Sequence, residues 1–376
     1  MRTRVVAGAA AAVVAVGALV AVAVPLVVTS DAATTESRTA ARPVELAPGP
    51  LPASARQRWT AATTGATSTT APAEGGTIVV GGADRVAGLD GATGRETWSY
   101  TRRNARLCGW TQGDGVVVAL FAETHGCRQV VGLDAGTGAR RWYRTLEIPG
   151  DAVLSGGPGV AVATTGDQLV AVDTATGLNR WVQRGPEGCT LDPAVAGRVA
   201  VIAVARCADG STKLVGHDAY AEKTSWVATP GGSNPVPLGG EDSAAVLTGT
   251  TLTTYDGAGK VVTRISDPRL ARAGSATPAA AAGGQTLVVW TGARATAVDV
   301  RTRAVLWSAP ASAPPVVADD GVVLASGAQV TSVRLATGQV LARTAVSGGA
   351  VPTGATLARV GTLVIAATRD AVVAYG

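Results

Sequence analysis

Short apolar runs separated by turn residues recur along almost the whole chain. Runs of four to six residues dominated by Val, Ala and Leu, such as 160–164 and 169–172, are bounded by Gly, Thr, Asp or Pro. Runs of this length, rich in Val and flanked by turn residues, are typical of buried β-strands rather than of helices. The pattern therefore predicts an all-β protein built from many short strands.

A nine-residue motif, D-x-x-T-G-x-x-x-W, recurs on top of this strand pattern. Three copies are complete, and the later ones keep only some of the four fixed positions. Successive copies begin 44, 39, 45, 38, 43 and 35 residues apart, a period that indicates stacked repeats or a propeller. The first positions of the seven copies are Asp90, Asp134, Asp173, Asp218, Asp256, Asp299 and Arg334.

Each fixed position of the motif has a physical reason. The Asp carboxylate can accept backbone N–H bonds across a tight turn, and Gly supplies the positive φ that the chain reversal needs. Neighbours of the Trp are polar, so we expect its ring to wedge into the seam against the next repeat. The predicted wedges are Trp59, Trp98, Trp142, Trp181, Trp226 and Trp307.

Counting strands gives a specific architecture. Each period contains four short strands, which is one propeller blade. The chain ends with a strand pair, 362–368 and 371–375, that lacks a Trp strand, whereas 56–60 is a Trp strand without its Asp. We therefore predict a monomeric, eight-bladed β-propeller of four-stranded antiparallel blades over residues 55–376, with its ring closed by the N-terminal strand.

The N-terminus differs from the rest of the chain. After Arg2 and Arg4, the apolar run 5–28 would extend about 36 Å as a helix, enough to cross a bilayer core of about 30 Å. We predict a cytoplasmic stub and one transmembrane helix within residues 1–30, which would anchor the propeller to the cell membrane by a single pass, outside the cytoplasm. The alternative is a cleaved signal peptide and a secreted protein. Residues 31–54, rich in Ala, Thr, Ser and Pro, are predicted to be a flexible linker.

The motif resembles the repeat of the pyrroloquinoline-quinone-like (quinoprotein-type) β-propellers, and in particular their BamB-like branch. Within this family, the dehydrogenases bind pyrroloquinoline quinone and calcium on the propeller axis, and commonly use an Asp base and an adjacent pair of cysteines. This chain has no adjacent Cys pair, and its recurrent Asp residues are explained by turns. We therefore expect no bound quinone, no metal and no catalytic residues.

Four cysteines raise the question of disulfides. Cys108 and Cys127 fall in the first two strands of the second predicted blade, and Cys189 and Cys207 fall in the same strands of the fourth. An even count, similar separations and an exported location predict the two local bridges Cys108–Cys127 and Cys189–Cys207. The alternative is four buried free thiols. Zinc would need closely spaced ligand pairs, which the chain lacks.

Charge offers one weak functional signal. The net charge of +5 comes almost wholly from Arg, and without a dense basic run it does not favour nucleic-acid binding. Five arginines lie in connections that we expect on one face of the disc, where they could bind acidic ligands or a partner, or simply form a solvated rim. They are Arg102, Arg103, Arg106, Arg269 and Arg272.

These observations favour a non-enzymatic, membrane-tethered binding or scaffolding propeller that contacts a protein partner at the cell envelope. The alternative is a small-ligand or sugar-binding quinoprotein-like domain, possibly a degenerate dehydrogenase. The lining of the propeller axis distinguishes the two. Converging carboxylates and an aromatic floor would favour a ligand, whereas Ala, Val and Thr would favour a scaffold.

Overall fold

A computed structural model describes residues 31–63, 73–123, 126–148, 151–222, 224–239, 244–318 and 321–376. The predicted transmembrane helix lies outside these residues. Within them, no helix has the length and apolar character needed to cross a membrane. Helical structure in the described ranges consists of the four-residue helix α1 (Asp31–Thr34) and one 3-10 turn, Pro268–Leu270.

Almost all regular structure is β-strand. The chain begins with β1 (Thr35–Arg38) and β2 (Ser54–Ala62), and the strands that follow form consecutive antiparallel meanders, numbered here in chain order. Meander 1 contains β3 (Ala73–Glu74), β4 (Thr77–Gly81), β5 (Arg85–Asp90) and β6 (Glu96–Arg102). Meander 2 contains β7 (Leu107–Gly113), β8 (Val116–Glu123), β9 (Gly126–Asp134) and β10 (Arg140–Thr145).

The next three meanders repeat this plan. Meander 3 contains β11 (Val153–Gly157), β12 (Val160–Thr164), β13 (Gln168–Asp173) and β14 (Asn179–Arg184). In meander 4 the first strand is split, giving β15 (Cys189–Leu191), β16 (Val195–Ala196), β17 (Ala200–Cys207), β18 (Thr212–Asp218) and β19 (Ser225–Ala228). Meander 5 contains β20 (Val236–Leu238), β21 (Ala244–Thr248), β22 (Thr251–Tyr255) and β23 (Val261–Ser266).

The remaining strands complete the chain. Meander 6 contains β24 (Ala279–Gly283), β25 (Thr286–Trp290), β26 (Arg294–Asp299) and β27 (Ala304–Pro310). Meander 7 contains β28 (Val316–Ala318), β29 (Gly321–Ser326), β30 (Gln329–Arg334) and β31 (Val340–Ser347). Meander 8 contains β32 (Thr356–Val360), β33 (Leu363–Ala367) and β34 (Ala371–Tyr375).

As predicted, the N-terminal strand pairs with the C-terminal strand. Residues Gln57–Ala62 of β2 run antiparallel to β34 and supply the fourth strand of meander 8. The first residues of β2 also pair with β31 in parallel register, which joins meanders 7 and 8 into one eight-stranded sheet. The two ends of the propeller are therefore held in one hydrogen-bonded sheet.

Buried apolar side chains fill the spaces between successive meanders. Each of eight clusters draws its core from two neighbours, and one cluster joins meander 8 back to meander 1, for example through Ile365 and Ile78. Inner strands such as β12 are buried at every position because they have a neighbouring sheet on both faces. This explains why the sequence shows continuous apolar runs rather than alternation.

The turns of an antiparallel meander lie at two opposite ends of its strands. Turns between its first and second strands and between its third and fourth strands lie at one end of the sheet, and we call this side of the propeller the hairpin face. Turns between the second and third strands, and the connections to the next meander, lie at the other end, the connector face. The motif turns, which follow the third strand, are therefore on the hairpin face.

Residues 35–53 do not form the predicted flexible linker. Strand β1 adds a fifth strand to meander 1 by pairing with β6. After β1, backbone groups of the chain form hydrogen bonds with turns on the hairpin face and with meander 7. Ala40 N donates to Thr137 O, Gly76 N donates to Val44 O, and Ala345 N donates to Ala53 O. Leu51 is buried between meanders 7 and 8. We call residues 35–53 the strap.

Candidate functional site

The motif turns are stabilised by their Asp side chains. Oδ1 of Asp134 accepts the backbone N–H groups of Gly136 and Thr137 at 3.1 and 2.8 Å, and Oδ2 accepts Nη2 of Arg141 at 2.7 Å. Burial opposes ionisation of this carboxyl, but the bonds from Arg141 and Thr137 outweigh it, so the pKa of Asp134 is lowered. Asp173 has an equivalent set of bonds with Thr176 and Arg180. These acids are therefore occupied in turns.

The tryptophans connect neighbouring meanders through one recurrent hydrogen bond. The indole N–H donates to the backbone carbonyl of the residue that follows the first motif position in the next meander. Four seams use this bond, with donor to acceptor distances of 2.7–3.1 Å. The pairs are Trp59 with Gly91 O, Trp98 with Ala135 O, Trp142 with Thr174 O, and Trp307 with Leu335 O.

The motif glycine has a second role that the sequence interpretation missed. Gly138 has the expected positive φ of 71°, and it also lies against the ring of Trp98 from the preceding meander. A methyl group added to Gly138 would come within 2.6 Å of that ring. Gly88, two positions before Asp90, makes the same kind of close approach to Trp98 within its own sheet. The recurrence of Gly at both places was a signal that could have revealed this packing.

Four seams depart from the pattern, including the one between meanders 7 and 8, where Ala342 takes the Trp position. Meander 4 lacks the Thr-Gly pair, and there Trp181 stacks on His217 at 3.9 Å while Arg180 donates to Ala219 O. Trp226 stacks on Tyr255 at 5.3 Å, and its N–H has no hydrogen-bond partner in the described part of the chain. In the seam between meanders 5 and 6, a threonine takes the place of Trp.

A channel of about 550 Å³ runs between the first strands of meanders 2 to 8, along the expected propeller axis. Its described lining consists mostly of Ala, Gly, Pro and Val, including 279–282 and 195–196. No aromatic side chain is among these lining residues, and Asp114 is the one ionisable group. Asp114 itself occupies a two-residue Asp-Gly hairpin turn with a positive φ of 52°, which accounts for its presence. This lining does not offer the converging carboxylates that calcium and a quinone would need.

The five predicted surface arginines are not one group. Arg102 is buried at the end of β6 beside the rings of Phe121 and Tyr143, so its assignment to an exposed binding loop was wrong. Arg103 pairs with Glu36 of the strap, and Arg106 lies 4.0 Å from Asp151. Both are about two-thirds exposed on the connector face.

The other two arginines lie four meanders away, between meanders 5 and 6. Arg269 forms a paired contact with Asp267, and the bond from Arg269 lowers the pKa of Asp267 to about 2. Arg272 donates to Ser275 O at 2.7 Å. The four exposed members of this group thus lie on the connector face, at two separate places.

All four cysteines form disulfides, which confirms both predicted pairs. Cys189 and Cys207 are direct partners in the β15–β17 pairing. Cys127 belongs to the third strand of meander 2, β9, and not to the second as predicted. The bridge to Cys108 therefore reaches past β8. Among the described residues no cluster of His, Cys, Asp and Glu could hold a metal ion.

Comparison with known proteins identifies the family. The family model described as outer membrane protein assembly factor BamB matches residues 51–149 and 126–268, which together cover more than half of the chain. The protein belongs to this BamB family. No curated protein matches the sequence significantly.

Three solved structures are similar to this chain at low sequence identity. The computationally designed Ika8 protein is 16% identical with a TM-score of 0.60, over 85% of this chain and 99% of that one. BamB from Moraxella catarrhalis is 15% identical with a TM-score of 0.39, over 90% and 96% of the two chains. A europium-containing methanol dehydrogenase is 12% identical with a TM-score of 0.49, over 83% and 84%. At this identity, the likeness to Ika8 shows a shared fold alone.

Proposed function

We propose that the protein is a non-enzymatic propeller that binds other proteins at the cell envelope, outside the cytoplasm. The lining of the axial channel carries this proposal: it is made mostly of small apolar residues, and its one ionisable group is a turn aspartate, Asp114. A catalytic site needs a base positioned on the substrate, and a turn Asp does not supply it. Membership of a family described as an assembly factor supports a role in protein binding.

Two disulfides support a location outside the cytoplasm, since such bonds persist in oxidising compartments. We propose that residues 1–30 tether the domain to the cell membrane as a single-pass anchor. Secretion after signal cleavage is the alternative. Mass spectrometry of the mature N-terminus, together with fractionation of membranes, separates the two. A mature chain beginning at or near Ala32 in the soluble fraction would contradict the anchor.

We also propose that the eight meanders are the blades of one closed, monomeric eight-bladed propeller. The support is the cyclic set of apolar clusters, in which Ile78 and Leu89 of meander 1 share a cluster with meander 8. Light scattering of the purified domain should give the mass of one chain. A stable dimer that dissociates when residues 51–62 are removed would contradict closure within one chain.

The enzymatic alternative is tested by cofactor binding. We expect purified protein neither to bind pyrroloquinoline quinone with calcium nor to gain dye-linked alcohol or sugar dehydrogenase activity. A quinoprotein dehydrogenase assayed in parallel is the positive control. Stoichiometric quinone binding that is lost in Asp114→Asn would refute the scaffold proposal and favour a ligand-binding or degenerate dehydrogenase domain.

Partner binding is proposed to involve Arg103 and Arg106, which are exposed together on the connector face. Site-specific photo-crosslinking beside these residues in intact cells should give a discrete adduct that is lost in the charge-reversed variant of both. Charge reversal of Arg269 and Arg272 is the matched control, because these residues lie four meanders away. If both double variants lose the adduct equally, the arginines do not form a local partner site.

A further inference from the structure

The seam between meanders 5 and 6 lacks the indole that fills most other seams. Four positions after Gly259, where the motif places Trp, the residue is Thr263. Its hydroxyl donates to Val300 O at 2.7 Å, the same carbonyl position that accepts an indole N–H at four other seams. In the facing turn, the motif glycine is replaced by Arg303, which keeps a positive φ of 63°.

The residue opposite Thr263 also differs from the other seams. Thr254 pairs with Thr263 across the sheet, at the position that Gly88 holds beside Trp98. Its side chain is fully buried, and its hydroxyl oxygen has no hydrogen-bond partner among the described residues. An unsatisfied buried hydroxyl costs about 1–3 kcal/mol, so a ligand that bonded to it would recover part of that cost.

An open cleft of about 400 Å³ lies at this place on the hairpin face. Thr254 and Val300 line it at the seam, and it continues over meander 5 to the largely buried ring of Tyr255 and the half-exposed ring of Tyr220. Val199 adds to the apolar part of the lining. The cleft thus combines aromatic and apolar surface with one unpartnered polar atom.

The charged residues at the edge of the cleft are already engaged. Asp218 accepts the backbone N–H groups of Tyr220 and Ala221 at 2.8 Å, and Asp256 accepts those of Ala258 and Lys260. Arg198 also has an interaction partner. The lining is therefore suited to a flat, neutral group that can form one hydrogen bond with the Thr254 hydroxyl rather than to an ion.

We propose that this cleft is a binding site for an indole ring, which lies against Tyr255 and Val300 and donates its N–H to the hydroxyl oxygen of Thr254. Indole is the group that the same scaffold packs against the equivalent carbonyl at four other seams. The ring can come from a free indole compound or from a tryptophan side chain. This site is separate from the proposed partner surface at Arg103 and Arg106.

Binding is tested by ligand-observed NMR with two probes, 5-fluoroindole and N-acetyl-L-tryptophanamide. Saturable binding of both indicates recognition of the ring in either source, and binding of 5-fluoroindole alone restricts the site to the free compound. Failure of both probes to bind overturns the proposal.

Variants locate the site. Thr254→Val keeps the shape but removes the acceptor and should weaken binding about fivefold, as expected for one hydrogen bond. Thr254→Gly with Thr263→Trp supplies an internal indole and should abolish binding while circular dichroism stays native. Thr331→Val, the same change on β30 outside the cleft, should bind like the native protein. Native affinity in Thr254→Val would show that the ring binds elsewhere.

Discussion

Gly138→Ala tests the double role of the motif glycine, and its cost can be worked out in two parts. The first part is conformational: φ is 71° at this position, and Ala in the left-handed region costs about 1–2 kcal/mol. The second part is steric, because the new methyl group would lie 2.6 Å from the ring of Trp98, which is fully buried. Overpacking of this kind costs about 1–3 kcal/mol. We therefore expect a total loss of about 2–5 kcal/mol.

Gly210→Ala is the matched control. Gly210 also has a positive φ, 82°, but an added methyl group would meet no atom within 4 Å. It should therefore show only the conformational cost of about 1–2 kcal/mol. The difference between the two variants isolates the contact with the preceding meander.

Equilibrium urea denaturation followed by far-UV circular dichroism measures both losses under the same conditions. A double-mutant cycle with Trp98→Ala sharpens the assignment, since Gly138→Ala should lose its steric part when the ring is absent. Equal losses for Gly138→Ala and Gly210→Ala in the native background would refute the packing argument and leave the glycine as a turn residue only.

Three further predictions concern the strap, a disulfide and acid stability. Leu51→Ala should destabilise the protein by about 2–5 kcal/mol in urea denaturation, as for a buried Leu; a loss below about 0.5 kcal/mol, the usual surface value, would mean that the strap does not contribute. Replacing Cys189 and Cys207 by Ser should cost about 3 kcal/mol from the 18-residue separation, whereas reduction that leaves the thermal midpoint unchanged would contradict this. Although burial opposes its ionisation, the bond from Arg180 lowers the pKa of Asp173. The contribution of the ionised Asp173 to the free energy of unfolding is therefore complete above pH 3.8 and is lost as the pH falls below that value. Asp173→Asn should therefore lose less stability than the native protein between pH 5 and about pH 2. Parallel acid titrations followed by circular dichroism measure both losses. Equal losses in the variant and the native protein would contradict this prediction.

Local chemistry made much of the fold predictable. The Asp turn, the positive φ of Gly138 and the Trp strand each follow from interactions within a few residues, and the period then organises them into meanders. The pairing of β2 with β34 was predictable for a related reason: a terminal unit without a Trp strand and an N-terminal Trp strand complement each other. The disulfide pairs could be inferred because each closes within one meander.

The missed features depend on contacts between distant residues. The strap has the composition of a linker, and nothing local shows that Val44 O will accept Gly76 N or that Leu51 will fill a gap between meanders 7 and 8. Arg102 reads as the first residue of an Arg-rich loop, but the β6 strand extends through it and carries it between two sheets. The axial lining was also unpredictable, because it is assembled from the first strands of seven meanders.

The seams explain why the motif decays along the chain in the way that it does. Trp and Gly of one copy do not contact each other; where the following copy has the glycine, the Trp packs on it, as Trp98 does on Gly138. Loss of a glycine therefore removes a contact of the preceding copy rather than of its own: Trp181, which faces meander 4 without the motif glycine, stacks on His217 instead. Meander 6 has Arg303 at the glycine position, and the missing ring is the one at Thr263 of meander 5, whereas Trp307 of meander 6 itself is retained. The unit that the sequence maintains is thus the contact between neighbouring meanders, and the seam between meanders 5 and 6, where both partners have changed, borders an open cleft.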